Sequence, residues 1–306
     1  MMVCESERAS RQTLCGLLGV SRQAYHKRKK REEKVAIESE LVIQEVLRVR
    51  EVQKRVGTRK LHHLLKDFRT EHLIKMGRDG LNELLREHSM QIRKRRRKAP
   101  RTTFSSPWRR YPNLIRELMR QGEPTKANQI WVSDITYVRL EEGHCYLSLI
   151  TDAYSRKIVG YHLSRDLSAD GCVKALRMAL RDNPERDGLI HHSDRGLQYC
   201  SSRYTKLLGK VLISMTEKSD PLENAIAERV NGILKQELLE KHLGTFREAK
   251  TNIDEAVSVY NNLRPHLSID MLTPTEAHTR SGTLKRHWKN YFSNRPVGQA
   301  AAYAAA

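Results

Sequence analysis

Alternating apolar positions lay out the second half of this chain. From Gln129 to Val138 it reads Q-I-W-V-S-D-I-T-Y-V, rich in β-branched and aromatic residues and free of proline, which predicts a strand. With period two, Ile130, Val132, Asp134, Thr136 and Val138 share one face, while Trp131, Ile135 and Tyr137 line the other. Both faces are apolar, so the strand belongs in the middle of its sheet, with Trp131 and Tyr137 in the core. A turn at Glu141-Glu142-Gly143 leads to a second strand at 144–151. The turn D-A-Y-S-R leads to a third at 157–163, and such short connections make an antiparallel meander. Ser168 then caps a helix to about 183, followed by a strand at 189–193, a helix at about 201–208 and a fifth strand at 211–216. A long helix from about 224 to 243 closes the series. The order βββαβαβα describes an α/β domain around a mixed five-stranded sheet.

Upstream the period is helical. Residues 1–34 carry an apolar helix face ending at Gly19, then Ser21 opening a basic helix; this reads as a helix-turn-helix-like segment or as a solvated helical hairpin. Residues 35–100 repeat the pattern, with Ile43, Val46 and Leu47, then Leu61, Leu64 and Leu65, then Leu81, Leu84 and Leu85. A second small all-α, helix-turn-helix-like DNA-binding module is expected there. It ends in six consecutive cations, Arg93, Lys94, Arg95, Arg96, Arg97 and Lys98. These repel one another, so the run is extended unless phosphates neutralise it: a DNA-backbone contact that reads no sequence, or a solvated linker. Residues 101–125, punctuated by Pro107, Pro112, Gly122 and Pro124, read as the linker into a core at 126–270. The tail, 271–306, ends in A-A-A-Y-A-A-A and has no readable role.

Composition narrows the partners. A chain of 306 residues with 56 Lys+Arg against 36 Asp+Glu, net +20, points at a polyanion. Nucleic acid is favoured over an anionic membrane, because no apolar run is long enough to span a bilayer. The start M-M-V-C-E-S-E-R lacks the apolar stretch of a signal peptide. Five scattered cysteines without a C-x-x-C pair argue against a disulfide framework or a cysteine zinc site, so a reduced, cytoplasmic protein is expected.

The chemistry is carried by carboxylates. Asp134 inside an apolar strand is costly unless a hydrogen bond, water or a cation meets it, so alone it is either a structural acid or half of a metal site. The predicted order sets the first and fourth strands side by side and parallel, which brings Asp134 near Asp194 in H-H-S-D-R-G-L-Q-Y. Ligands of α/β sheets collect at such carboxyl ends. Glu228, one turn into the last helix in N-A-I-A-E-R-V-N-G-I-L-K, supplies a third acid. Two aspartates and a glutamate suit Mg²⁺ or Mn²⁺, and two such ions roughly 3.5–4 Å apart can activate an attacking oxygen and stabilise a leaving one. Asp152 reads as structural, and His191 and His192 as strand residues. Arg264 and His266, in Y-N-N-L-R-P-H, read as a helix-end cap packed on the core, with a DNA contact as the alternative.

Together W-V-S-D-I-T-Y-V, D-A-Y-S-R-K-I-V-G, H-S-D-R-G-L-Q-Y, N-A-I-A-E-R and Y-N-N-L-R-P-H with P-T-E-A resemble the integrase-core (DDE) transposases of bacterial insertion sequences. The nearest likeness is to the second-frame (OrfB) product of the insertion-sequence three family, related to retroviral integrases, over about residues 14–277. The resemblance implies a ribonuclease-H-like fold whose D-D-E triad maps onto Asp134, Asp194 and Glu228. It implies metal-dependent cleavage and strand transfer at terminal inverted repeats, with double-stranded end and target DNA as partners and an excised circle as intermediate. A homo-oligomer, an upstream-frame (OrfA) contribution and association with the bacterial nucleoid are also implied. Lys235 matches a basic position that often contacts terminal DNA in the family; otherwise it is a surface lysine. One departure is that 33 residues separate Asp194 from Glu228, two fewer than usual. Glu217 and Glu223 are rival acids, but neither lies in the N-A-x-x-E context. The rival functions are a non-catalytic DNA-binding regulator, which has no need of an intact triad, and a ribonuclease-H-type nuclease acting on RNA–DNA hybrids.

Overall fold

The computed structural model describes residues 15–17, 19–92, 111–122, 124–141, 143–217, 224–240 and 243–287. The basic run from Arg93 to Lys98 and residues 1–14 lie outside the described residues. The described residues divide into two compact units, the first within Met1–Val52 and Val56–Ile92, the second within Arg93–Ala306 together with Gln53–Arg55.

The first unit is helical: α1 (Arg22–Val52), α2 (Thr58–Leu64), α3 (Lys66–Glu71) and α4 (Arg78–Glu87). Ser21 caps α1, its Oγ accepting from the Ala24 N–H at 3.1 Å. The expected break between residues 34 and 35 falls inside α1. No glycine or proline interrupts the sequence there, and the i,i+4 ion pairs Arg28–Glu32, Lys29–Glu33 and Lys34–Glu38 run across the boundary. The apolar stripe of α1 (Val42, Ile43 and Val46) packs on Leu61, Leu65, Leu81 and Leu85. Leu47, expected on that stripe, is exposed.

In the second unit, α5 (Ile115–Arg120) precedes β1 (Ile130–Leu140), β2 (Gly143–Asp152) and β3 (Ile158–Ser164). Then come α6 (Ala169–Asp182), β4 (Ile190–Ser193), α7 (Leu197–Cys200), α8 (Ser202–Leu208), β5 (Leu212–Met215), α9 (Ala225–Ile233), α10 (Phe246–Asn262) and α11 (Pro274–His278). The five strands form one sheet in the order β3-β2-β1-β4-β5. β1 to β3 form the expected antiparallel meander, and β4 and β5 run parallel to β1. β1 is central, and its two faces feed two cores. Trp131 packs with Ile150, Leu176 and Tyr204 under α6 and α8. Val138 packs with Leu147, Leu149, Ile233 and Ile253 under α9 and α10, and Ile130 and Val132 meet Ala227 on that same side. Gly160 on β3 lets α6 lie directly on the sheet, because a Cβ there would run into the main-chain oxygen of Ala175.

Four expectations change. Tyr137 is 40% exposed rather than buried, paired with Tyr146 across the strands at 5.2 Å between ring centroids. The end of the expected linker is built into the fold: Ile115 of α5 packs against Ile130, Val132 and Ile190, and Leu114 N–H donates to Ser214 Oγ. Part of the expected tail folds too, since α11 starts with a Thr273/Glu276 capping box and Ala277 is fully buried. The last long helix is not uniform, because α9 passes into a π-helical turn at Leu234–Leu238. No helix among the described residues is long and apolar enough to cross a membrane, and Cys15, Cys145, Cys172 and Cys200 are free thiols.

Candidate active site

The parallel register of β1 and β4 runs from Ile130 beside Ile190 to Ser133 beside Ser193. The next residues on each side are Asp134 and Asp194, which lie close enough for Asp194 to act on the Asp134 carboxylate. β4 ends at Ser193 while β1 continues, paired with β2 through Asp134 opposite Leu149. The carboxylate of Asp134 therefore lies at an open flank of a central strand, half-buried. Burial first, and then the neighbouring Asp194, push its pKa up to about 7, against a hydrogen bond from Asn231 and one from the Ile135 main chain; Glu228 adds a smaller upward push. Asp194 is raised in the same direction by burial, opposed by the Gly196 N–H, which its Oδ1 accepts at 3.0 Å.

Glu228 lies in the first turn of α9 and is exposed. It borders a cleft of about 350 Å³ that Arg229, Gly232, Gln236 and Glu237 also line. Among the described residues no three His, Cys, Asp or Glu side chains are drawn tightly enough to close on a metal ion as they stand. The structure thus brings Asp134 and Asp194 together and leaves Glu228 as a third, looser neighbour. Their chemistry still fits a hard divalent cation. Every donor is a carboxylate oxygen, and the close pair has raised pKa values that a bound cation would pull back down. Of the rival acids, Glu217 pairs with Arg116 at 3.3 Å, and Glu223 lies outside the described residues.

The motif residues around these acids have structural work. His191 Nε2 lies 2.7 Å from Ser133 Oγ and 2.9 Å from Tyr204 OH, and burial pushes its pKa down to about 3, so it is neutral. His192 Nδ1 lies 2.8 Å from Ser214 Oγ, the same hydroxyl that holds Leu114. Both histidines are strand residues, as the lack of partnering cysteines suggested. Asp152 is fully buried and accepts from the Asn128 N–H, the Ser155 N–H and the Ser155 hydroxyl, which fixes the turn between β2 and β3. Arg195 donates to the main-chain oxygens of Thr216 and Glu217, tying the end of β5 to the end of β4. Arg264 and His266 are buried, which fits the cap reading and not a DNA contact. Lys235 is half-buried, the second residue of the π-turn.

Sequence reasoning missed Asn224 and Asn231, one turn before Glu228 and one turn after it. Asn224 Nδ2 donates to Ser133 O at 3.0 Å, and Asn231 Nδ2 donates to Asp134 Oδ2 at 2.7 Å. Their spacing in N-A-I-A-E-R-V-N, at i−4 and i+3 from Glu228, was the available signal.

The Integrase core domain family matches residues 124–221 and again 209–274. A Shigella sonnei protein, described as the insertion element IS600 uncharacterized 31 kDa protein, is 33% identical over 279 residues, covering 85% of this chain and 96% of its own length. The transposase for insertion sequence element IS904 of Lactococcus lactis is 36% identical, over 54% of this chain and 66% of its own length. Transposase InsF for insertion sequence IS3A of Escherichia coli is 34% identical, over 49% and 53%. The matched segment thus spans about half to two thirds of those last two relatives. The catalytic core domain of HTLV-2 integrase, solved in complex with magnesium, is 19% identical over 50% of this chain and 97% of that one, with a TM-score of 0.40. With a central β1 flanked by an antiparallel meander and two parallel strands, the second unit has the ribonuclease-H-like fold of an integrase core, and the chain belongs to the integrase-core family of insertion-sequence transposases.

Proposed function

We propose that Asp134, Asp194 and Glu228 form the catalytic centre for cutting one phosphodiester at an element end and joining the freed 3′-OH to a second phosphodiester. The observation that carries this reading is the approach of Asp194 to Asp134 just beyond the paired ends of β1 and β4, with Glu228 adding to the same field. Two like-charged acids set side by side in a half-buried position are a costly arrangement for a protein that only binds, and a sensible one for holding Mg²⁺ or Mn²⁺. Bound there, one or two divalent ions would supply charge neutralisation at the phosphate and lower the barrier to attack by water or the 3′-OH. The chain's own residues hold the acids in place: Asn231 on Asp134, Gly196 on Asp194, and α9 carrying Glu228.

The substrate is double-stranded DNA, at terminal inverted repeats and at the target. The net charge of +20 supports this, as does the run from Arg93 to Lys98, with Lys235 near the third acid. Two ends must be held at once, so a homo-oligomer is part of the reading, with the upstream-frame (OrfA) product as a further partner. A labelled inverted-repeat duplex, incubated with Mg²⁺ or Mn²⁺ and with the OrfA product supplied, tests it. The wild type should nick the duplex and join the product to target DNA, and Asp194→Asn should do neither. Nicking that survives in Asp194→Asn, or DNA binding by the wild type without any cleavage, would sink the proposal, the latter outcome favouring a regulator.

A further inference from the structure

Asn231 brings a side-chain donor directly onto an acid of the site. Its Nδ2 donates to Asp134 Oδ2 at 2.7 Å, from a buried position one turn beyond Glu228 on α9. Asn261 shows what a purely structural asparagine does in this fold. It donates from Nδ2 to Ile158 O at 3.0 Å and accepts from Ile158 N–H at 2.9 Å, so both ends of its amide are used. Asn231 is different: its Oδ1 is buried and has no hydrogen-bond partner. A buried acceptor left unpaired costs about 1–3 kcal/mol; Asn224 leaves its Oδ1 unpaired too, but its donor goes to a main-chain oxygen, whereas that of Asn231 goes to a carboxylate of the site.

The electrostatics explain why an amide stands there. Asp134 and Asp194 repel each other, and each side chain is free to turn away unless something holds it. A lysine or arginine would hold Asp134 but would also neutralise it and weaken its pull on a cation. A neutral donor fixes the carboxylate without competing for it.

We propose that Asn231 is a positioning residue: its amide nitrogen holds the Asp134 carboxylate toward Asp194, and its amide oxygen accepts from a water or hydroxyl that enters with the substrate. This rests on the assignment of Asp134 to the catalytic centre. The test uses the full chain with Asn231→Leu, which matches the side chain in size and lacks the donor. Mn²⁺ affinity is measured by calorimetry without DNA, and kcat and KM are measured on a labelled inverted-repeat duplex. The expected result is a Mn²⁺ Kd raised about 10- to 100-fold and a kcat lowered by a similar factor, with KM for DNA within about twofold. Thermal melting reports folding. Should the leucine variant not fold, Asn231→Ser, too short to reach Asp134, is measured in the same way. A folded leucine or serine variant with wild-type Mn²⁺ affinity and kcat overturns the proposal. The parent assignment is checked separately with Asp134→Asn. If that variant still binds Mn²⁺ and cleaves, the catalytic centre itself is wrong; if it is inactive while Asn231→Leu behaves as wild type, only the role of Asn231 falls.

Discussion

Arg264 grips Glu237 in a forked ion pair, with Nε 2.9 Å from Oε2 and Nη2 2.8 Å from Oε2 and 3.0 Å from Oε1. Its remaining nitrogen, Nη1, donates to His266 Nε2 at 2.8 Å, and the Tyr260 ring stacks edge-on against His266. Glu237 belongs to the π-turn that continues α9, so the Y-N-N-L-R-P-H segment fastens the helix that carries Glu228 and Asn231. Arg264 is 3% exposed, and removing it would take the forked guanidinium away from Glu237. Arg264→Met should cost about 3 kcal/mol of unfolding free energy in urea. Adding Glu237→Leu should return most of that loss, and a double variant no more stable than the single one would refute the pairing.

The two acids Asp134, inside β1, and Asp152, at the end of β2, should part company. Asp152 is saturated with donors and Asp134 faces a like charge, so their asparagine variants should fail in different ways. Asp152→Asn should destabilise the core by about 2–3 kcal/mol through lost charge-assisted hydrogen bonds, yet keep cleavage at temperatures where it remains folded. Asp134→Asn should remain folded and lose cleavage. Parallel melting and nicking assays on both variants decide it.

A pH titration of the metal-free protein reads the site directly. Asp134 has an ordinary value of 3.8 and rises to about 7 in the fold. The folded state therefore keeps its proton where the unfolded chain has released it. Stability from this group is complete below about pH 4 and is lost as pH climbs to about 7, by a few kcal/mol at most. Asp134→Asn stays neutral throughout, so its advantage over wild type should grow across that window and level off above it. A constant difference between the two proteins from pH 4 to 8 would contradict the strained acid pair.

The contact of α6 with β3 should tolerate no side chain at 160. Gly160→Ala would push a methyl group into the Ala175 carbonyl, and Ala179 Cβ stands 2.9 Å away on the same helix. The helix must lift, opening the core around Leu176 and Trp131, at roughly 2–4 kcal/mol. Chemical denaturation checks this, and a loss below about 1 kcal/mol would mean that α6 sits farther from the sheet.

Much of this was legible beforehand, for reasons that can be located. β1 declares itself through its β-branched and aromatic run, and the short turns after it fix the meander. Given that order, Asp134 and Asp194 had to meet. Other features leave little trace in local sequence. α5 is six residues long within a proline-punctuated stretch, and only its burial against β1 shows it is structural. The π-turn L-K-Q-E-L has ordinary helical composition; what fastens it is Arg264, 27 residues downstream. Tyr137 kept strand period but ended up beyond the cover of the helices, which alternation alone does not show. Asn231 went unnoticed because an asparagine beside a catalytic-looking glutamate carries no charge to draw the eye.

Lys126 bridges to Ser281, and the Gly282 N–H donates to Thr125 O at 2.7 Å. The segment just ahead of β1 is thus latched to the one that follows α11. Neither can peel away without unpicking the other, so the central strand is guarded at its leading end against local opening.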